Sequence, residues 1–239
     1  MQQPHPSLLP RPIAFAHRGA RAYSPENTLE AFGLALQQGA TGLESDVWIT
    51  ADGVPVLDHD GLVRRGFGRG TPISGLRRDQ LPAHIPALTD LFATCGHQYH
   101  LSLDLKDPGA GERVIAVTRE AAPELLPRLW LCAPVWQSLL PLRDCGARLV
   151  DSTRLAKIKE GPERRAATLS SNGIDAINLH HTDWNGGLAA LFHRFERVAF
   201  GWDMQHEQVL AAGIAMGLDA VYCDSPDRMM AVFKEMLGE

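Results

Sequence analysis

The sequence predicts an α/β chain folded as a (β/α)8 TIM barrel, with a β-hairpin and an irregular insertion after the second strand. Three observations carry this. Eight short apolar runs alternate with eight segments of helical periodicity, and that alternation builds parallel sheets. No domain linker interrupts them, so residues 1–239 read as a single domain. One extra apolar run follows an Asp-Gly pair, the strongest short-range hairpin signal.

In chain order, a Pro-rich lead-in (Pro4, Pro6, Pro10, Pro12) precedes the first strand, Ile13–Ala16. The remaining barrel strands are expected at Thr41–Trp48, Leu101–Leu105, Arg128–Cys132, Arg148–Asp151, Ala176–Leu179, Arg197–Gly201 and Ala220–Cys223. Between them, helices are expected at Asn27–Gln38, Ala87–Cys95, Glu112–Ala121, Gln137–Cys145, Glu163–Ser171, Gly187–Arg194, Glu207–Gly213 and Asp227–Leu237. Val54–Asp60 should run antiparallel to the second strand. A turn at Ala51-Asp52 would set His59 opposite Glu44, and a turn at Asp52-Gly53 would set it opposite Asp46. Gly61–Pro86, rich in Gly, Arg and Pro, reads as an irregular insertion over the barrel mouth, where functional loops concentrate.

Composition narrows the function classes. The 239 residues are 45% hydrophobic and 21% charged, as in soluble globular proteins. A net charge of −5 with scattered Lys and Arg lacks the basic stripe of a nucleic-acid binder, yet leaves room for a local anion site. Cys95, Cys132, Cys145 and Cys223 fall at neither metal-site nor disulfide-framework spacing and read as buried small hydrophobes in a reducing compartment. The N-terminus lacks a signal peptide's basic start and apolar run, and no apolar stretch approaches the roughly 20 residues that span a bilayer. The expectation is a cytoplasmic protein with no stable membrane association; nothing in the sequence specifies an oligomer.

Catalytic groups on this fold come from the C-terminal ends of several strands. The first strand ends in His17-Arg18-Gly19. The second carries Glu44 and Asp46, two apart and so on one face. The third carries Asp104 and Lys106 in the same relation, the hairpin returns His59, and the seventh strand ends at Trp202. Three carboxylates aimed into one mouth repel unless a cation lies among them, and all-oxygen ligation favours Mg2+ or Ca2+. Each carboxylate alone could equally pair with a barrel Arg or Lys. His17 and His59, each alone a satisfied core histidine, together suit general base and general acid work near neutral pH. Arg18 and Lys106 supply cations for a bound anion, although they could equally pair with neighbouring carboxylates. The run Arg64-Arg65-Gly66-Phe67-Gly68-Arg69 suggests head-group contact or a solvated loop, and His180-His181, at the end of the sixth strand, reads either as lining the mouth or, more simply, as a pair of exposed loop histidines.

These residues resemble a family. His17-Arg18-Gly19, Ser24-Pro25-Glu26-Asn27-Thr28, Glu44-x-Asp46, Asp52-Gly53 and His59-Asp60 are similar in order and spacing to the N-terminal signature of glycerophosphodiester phosphodiesterases. The likeness continues through Ile85-Pro86-Ala87-Leu88 and Asp104-x-Lys106, then faintly at Trp202 and Cys223-Asp224-Ser225-Pro226. It implies a TIM barrel, one divalent cation held by Glu44, Asp46 and Asp104, and a catalytic pair His17 and His59. It further implies phosphate-binding positions at Arg18 and Lys106, a site contact from Asn27, and a pocket aromatic at Trp202. The expected partner is a small-molecule phosphodiester, cleaved to glycerol 3-phosphate and an alcohol. The chain departs from the family at three places. Asp104 stands where Glu is usual, Trp202-Asp203-Met204-Gln205 replaces a Trp-Thr-Val-Asn pattern, and Cys132-Ala133-Pro134 lacks a Ser-Phe pair. Rival readings are a lysophospholipase D-like specificity, marked by an apolar acyl groove, and a non-catalytic barrel that binds a phosphorylated metabolite. A metal-dependent sugar isomerase is a third, and it requires neither the Arg18–Lys106 anion clamp nor a hairpin-borne histidine.

Overall fold

In the computed structural model, which describes residues 6–64 and 70–238, the eight apolar runs are eight strands of a closed parallel barrel. The elements are β1 (Ile13–Ala16), α1 (Leu29–Gln37), β2 (Gly42–Ile49), β3 (Pro55–Leu57), β4 (Leu62–Val63), β5 (Thr71–Pro72), α2 (Leu88–Cys95) and β6 (His100–Leu105). There follow α3 (Ala110–Ala121), β7 (Leu129–Ala133), β8 (Arg148–Ser152), α4 (Pro162–Ser171), β9 (Ala176–His180) and α5 (Gly186–Arg194). The last are β10 (Val198–Trp202), α6 (Glu207–Ala215), β11 (Ala220–Cys223) and α7 (Pro226–Leu237). The sheet runs β1-β11-β10-β9-β8-β7-β6-β2, and β2 pairs back with β1, so the barrel has no free edge.

The helix starts are written locally. Thr28 caps α1, its hydroxyl accepting the Ala31 N–H at 3.2 Å, and Asn185 caps α5 by accepting the Leu188 N–H at 2.9 Å. Pro226 opens α7, where the missing N–H costs nothing. The expected helix Gln137–Cys145 is absent. The fourth crossover instead holds a 3-10 turn, Trp136–Leu142, with Pro141 inside it. Proline lacks the N–H an α-helix needs there and its ring collides with the preceding turn.

Side chains alternate across each strand and divide the core in two. One cluster fills the barrel interior: Ile13, Phe15, Trp130, Cys132, Val150, Ala176, Phe200, Ala220 and Tyr222. Phe15 stacks on Tyr222 with centroids 4.8 Å apart, and Phe200 meets Trp130 edge-on at 4.9 Å. Gly42 faces this cluster. A Cβ there would approach the Phe15 ring to 2.5 Å, so the glycine makes room for the aromatic floor. The larger cluster lies between strands and helices and includes Leu43, Leu101, Leu103, Phe32, Phe192 and Phe233.

The hairpin forms as expected, but with a different turn. Its loop has three residues, Ala51, Asp52 and Gly53, closed by Thr50 N–H to Val54 O at 3.1 Å with Gly53 at φ +80°. Val47 then pairs with Leu57, Trp48 with Val56 and Ile49 with Pro55. This register corrects both expected pairings of His59, since Asp46 O accepts the Asp58 N–H. The strand stops at Leu57, and His59 sits in a turn fixed by Asp58 Oδ2 accepting the Gly61 N–H at 2.7 Å.

The insertion is more ordered than expected. The two-stranded pair β4–β5 and two 3-10 turns, Ile73–Gly75 and Arg78–Gln80, pack on a small core of Val56, Val63, Ile73, Leu81, Ile85 and Ala87. Among the described residues none of Gly61–Pro86 lines the central cavity. In the Arg64–Arg69 run, residues 65–69 lie outside the described residues. All four cysteines are free, with Cys132 and Cys223 buried and Cys95 and Cys145 partly so. No helix among the described residues is long and apolar enough to cross a membrane.

Candidate active site

A cavity of about 450 Å³ opens at the C-terminal ends of the strands, lined by His17, Arg18, Glu44, Asp46, His59, Asp104, Lys106 and Trp202. Eight of the nine sequence-predicted site residues therefore share one cavity. Register explains the carboxylates. In the β2–β6 pair Asp46 is level with Asp104 and Glu44 with Ser102, so three acids converge on one patch of the inner face. Each offers an oxygen within 4.8 Å of the others.

Glu44 and Asp46 are buried and Asp104 partly so. Burial raises the Glu44 pKa to about 8, with Asp46 and Asp104 adding to the rise and His17 opposing it. Burial likewise raises Asp104, with Asp46 adding to it and Lys106 working against it. Lys106 Nζ lies 2.8 Å from Asp46 and 3.4 Å from Asp104. Asp46 Oδ2 is buried without a hydrogen bond, with Arg18 Nε 3.5 Å away. An acid cluster with one orphaned buried oxygen and all-oxygen donors fits a hard divalent cation.

The Arg18 loop is preset. Arg18 and Gly19 both have positive φ (53° and 78°), and a Cβ on Gly19 would strike the Ala31 backbone at 2.7 Å. This bend turns the Arg18 N–H onto Glu44 Oε2 at 2.9 Å, while its Nη1 donates to both carboxylate oxygens of Glu26 at 3.0 and 3.1 Å. Asn27 is the ninth predicted residue, and it does not line the cavity. It lies buried behind the loop at φ +57°, donating its N–H to Arg18 O and accepting from Ser45 Oγ at 2.7 Å. Its place is under Arg18, on the outward face of β2.

His17 follows β1 and ties to β11 through its N–H on Cys223 O. Its Nδ1 is 2.7 Å from Asp224 Oδ1 and its Nε2 is 3.8 Å from Glu44 Oε2. Burial disfavours the charged ring, but Glu44 and the Asp224 hydrogen bond outweigh it and hold the His17 pKa above the ordinary histidine value. Burial likewise opposes the charge on Asp224, yet His17 and Arg21 keep its pKa below the ordinary aspartate range. His59 is half-exposed on the turn, with Nδ1 2.9 Å from Asp60 Oδ1.

Sequence reasoning missed several residues. Asp224 follows a strand end, as His17 does, and that position was its available signal. Arg154, Lys157, Ser152, Thr153, Asn178, Asp203 and Tyr222 also line the cavity. Tyr222 OH bonds Ser102 Oγ at 3.0 Å beneath the acids, and the Arg154 guanidinium lies 5.8 Å over Trp202. His180 is no exposed loop histidine. It ends β9 partly buried, with Nε2 3.1 Å from Asp203, and His181 beside it is also partly buried.

Comparison with known proteins follows this geometry. The model of the Glycerophosphoryl diester phosphodiesterase family matches residues 17–109. Human Glycerophosphodiester phosphodiesterase 1 is 38% identical over 110 residues, 39% of this chain; the match spans only 33% of the human protein's length. A Bacillus altitudinis Glycerophosphodiester phosphodiesterase is 24% identical over 249 residues, covering 93% of this chain and 98% of its own. An Oleispira antarctica phosphodiesterase, solved in complex with the product sn-glycerol-3-phosphate, superposes with a TM-score of 0.78. Its identity is 22%, over 94% of this chain and 97% of that one, a likeness of fold.

Proposed function

We propose that the chain, which matches the model of the Glycerophosphoryl diester phosphodiesterase family over residues 17–109, belongs to that family and hydrolyses glycerophosphodiesters to glycerol 3-phosphate and an alcohol. The observation that carries this reading is the convergence of three acids, two histidines and two cations in one strand-end cavity. Glu44, Asp46 and Asp104 would hold one divalent cation, Mg2+ or Ca2+. When bound, such a cation supplies Lewis-acid neutralisation of phosphoryl charge.

The chain's own residues do the rest. Arg18 and Lys106 bind the non-bridging oxygens and stabilise negative charge as it builds. His17 is the general base. Asp224 takes its Nδ1 proton in a hydrogen bond, which leaves Nε2 to accept the proton of the attacking hydroxyl, from water or the neighbouring glycerol. His59, on the hairpin turn, protonates the departing alkoxide. Asn27 holds Arg18 in its bent conformation from behind. Trp202 supplies the aromatic wall against which the substrate's carbon frame rests.

The polar lining from Ser152, Thr153, Arg154 and Asn178 favours a polar alcohol over an acyl chain, which would need an apolar groove. We read residues 1–239 as one catalytic domain, and place it in the cytoplasm on its four free thiols. The test is a panel of glycerophosphodiesters assayed for glycerol 3-phosphate, with and without chelator. Failure to release it from any member in the presence of Mg2+, Ca2+ or Mn2+ would remove the proposal.

A further inference from the structure

Outside the acid cluster, one other group among the described residues brings metal-ligating atoms together. His180 ends β9, His181 follows it and Asp203 follows β10; each offers a ligand atom, and these atoms lie within 4.8 Å of one another. The cause is register. Trp202 is level with His180 in the β9–β10 pair, so the segments leaving both strands meet at the same height. The two rings are 4.4 Å apart, tilted by 36°, and His180 Nε2 is 3.1 Å from Asp203 Oδ2.

The donor chemistry differs from that of the first cluster. Three carboxylates suit hard cations that keep oxygen ligands, whereas imidazole suits Zn2+, Co2+, Ni2+ and Cu2+. Two imidazoles and a carboxylate are a known set for zinc, with a fourth position left open. His180 also has an outer partner, because Nδ1 lies 2.8 Å from Thr182 Oγ1. Nδ1 also accepts the Thr182 N–H at 3.2 Å. Coordination through Nε2 would require the ring proton on Nδ1, where Thr182 Oγ1 at 2.8 Å can accept it and the weaker 3.2 Å contact from the Thr182 N–H is given up. Arg154 is a nearby cation that opposes a metal ion, but it forks onto Asp183 at 2.7 and 3.2 Å, which offsets its charge.

We infer that His180, His181 and Asp203 form a second metal site, of imidazole–carboxylate type, for a borderline first-row divalent cation such as Zn2+ or Co2+. It stands apart from the hydrolytic reading, since neither histidine lines the central cavity. Asp203 does line it, and Trp202 packs edge-on against His180 at 4.5 Å. An ion here would tie the ends of β9 and β10 together and brace that wall.

The test titrates the full chain with Co2+ in saturating Mg2+, by calorimetry and by visible absorption that reports nitrogen ligands. The unaltered chain and a Glu44→Gln/Asp104→Asn chain should each bind one equivalent with nitrogen-type absorption. His181→Ala and Asp203→Asn, on part-exposed positions, should each bind it at least tenfold more weakly. Equal affinity in those two variants would overturn the site. So would absence of the absorption in the unaltered chain, or its loss in the Glu44→Gln/Asp104→Asn chain.

Discussion

Asp224 gives the sharpest test of the proposed mechanism, because it is argued to act only through His17. The 2.7 Å contact between its carboxylate and Nδ1 is a charge-assisted hydrogen bond, worth about 1.5–3 kcal/mol. Asp224→Asn keeps shape and can still accept the Nδ1–H through its amide oxygen, retaining a neutral bond of about 0.5–1.5 kcal/mol. The net loss is about 1–2 kcal/mol, a fall of about 5- to 30-fold in kcat/KM. The carboxylate is partly exposed and sits above the packed barrel floor, so thermal unfolding should barely change. The decisive assay is a double-mutant cycle with His17→Ala. If Asp224 works by orienting and charging His17, then Asp224→Asn costs nothing in the His17→Ala background. A full additional loss there would refute the positioning argument and give Asp224 a role of its own.

Four further outcomes are expected. Chelation should abolish hydrolysis and Mg2+, Ca2+ or Mn2+ restore it; full activity in protein shown metal-free by elemental analysis would sink the assignment of Glu44, Asp46 and Asp104. His17→Ala and His59→Ala should each reduce turnover about 10²–10⁴-fold, and a nitrophenyl diester should rescue the variant that lacks the acid, expected to be His59→Ala. Asp104→Glu should bind metal at least as tightly as the unaltered chain, whereas Asp104→Asn should bind it more weakly; calorimetric titration with unchanged affinity in Asp104→Asn would show that Asp104 is no ligand. Away from the site, burial lowers the His100 pKa from 6.5 to about 4, and Nδ1 accepts the Trp130 indole N–H at 3.2 Å. The unfolded chain therefore binds the proton more readily than the folded one between those values, so stability is full above pH 6.5 and lost as pH falls toward 4. Denaturant unfolding at pH 5 and 7.5 should differ by about 1–2 kcal/mol more in the unaltered chain than in His100→Asn, allowing for partial exposure.

The barrel was legible because its signal is local and repeated. Each strand needed only a short apolar run and each helix only its periodicity, and errors at one element did not spread to the next. Where the reading failed, a single residue overrode the pattern. The stretch Gln137–Cys145 has helical spacing, yet Pro141 limits it to a 3-10 turn. The hairpin was visible from Asp52-Gly53, but its register depends on whether the loop holds two residues or three. That choice is made by the Thr50 N–H closing onto Val54, a difference with no compositional mark.

The site divides along the same line. Glu44, Asp46, Asp104 and Lys106 were readable as pairs two apart on strands, since alternation alone puts each pair on one face. Their mutual approach needed the β2–β6 register, which the closed barrel supplies. Asp224 and His17 are 207 residues apart in the chain, and they meet only because β11 closes the barrel against β1. No local pattern encodes such a contact. Asn27 failed for the opposite reason, because its sequence neighbourhood is that of the site while its position belongs to the support beneath it. Its side chain bonds Ser45, the residue between Glu44 and Asp46, which alternation turns away from the cavity. The residue that lies in the motif and the residue that faces the cavity are thus set by different rules, the first by chain order and the second by strand parity and barrel closure.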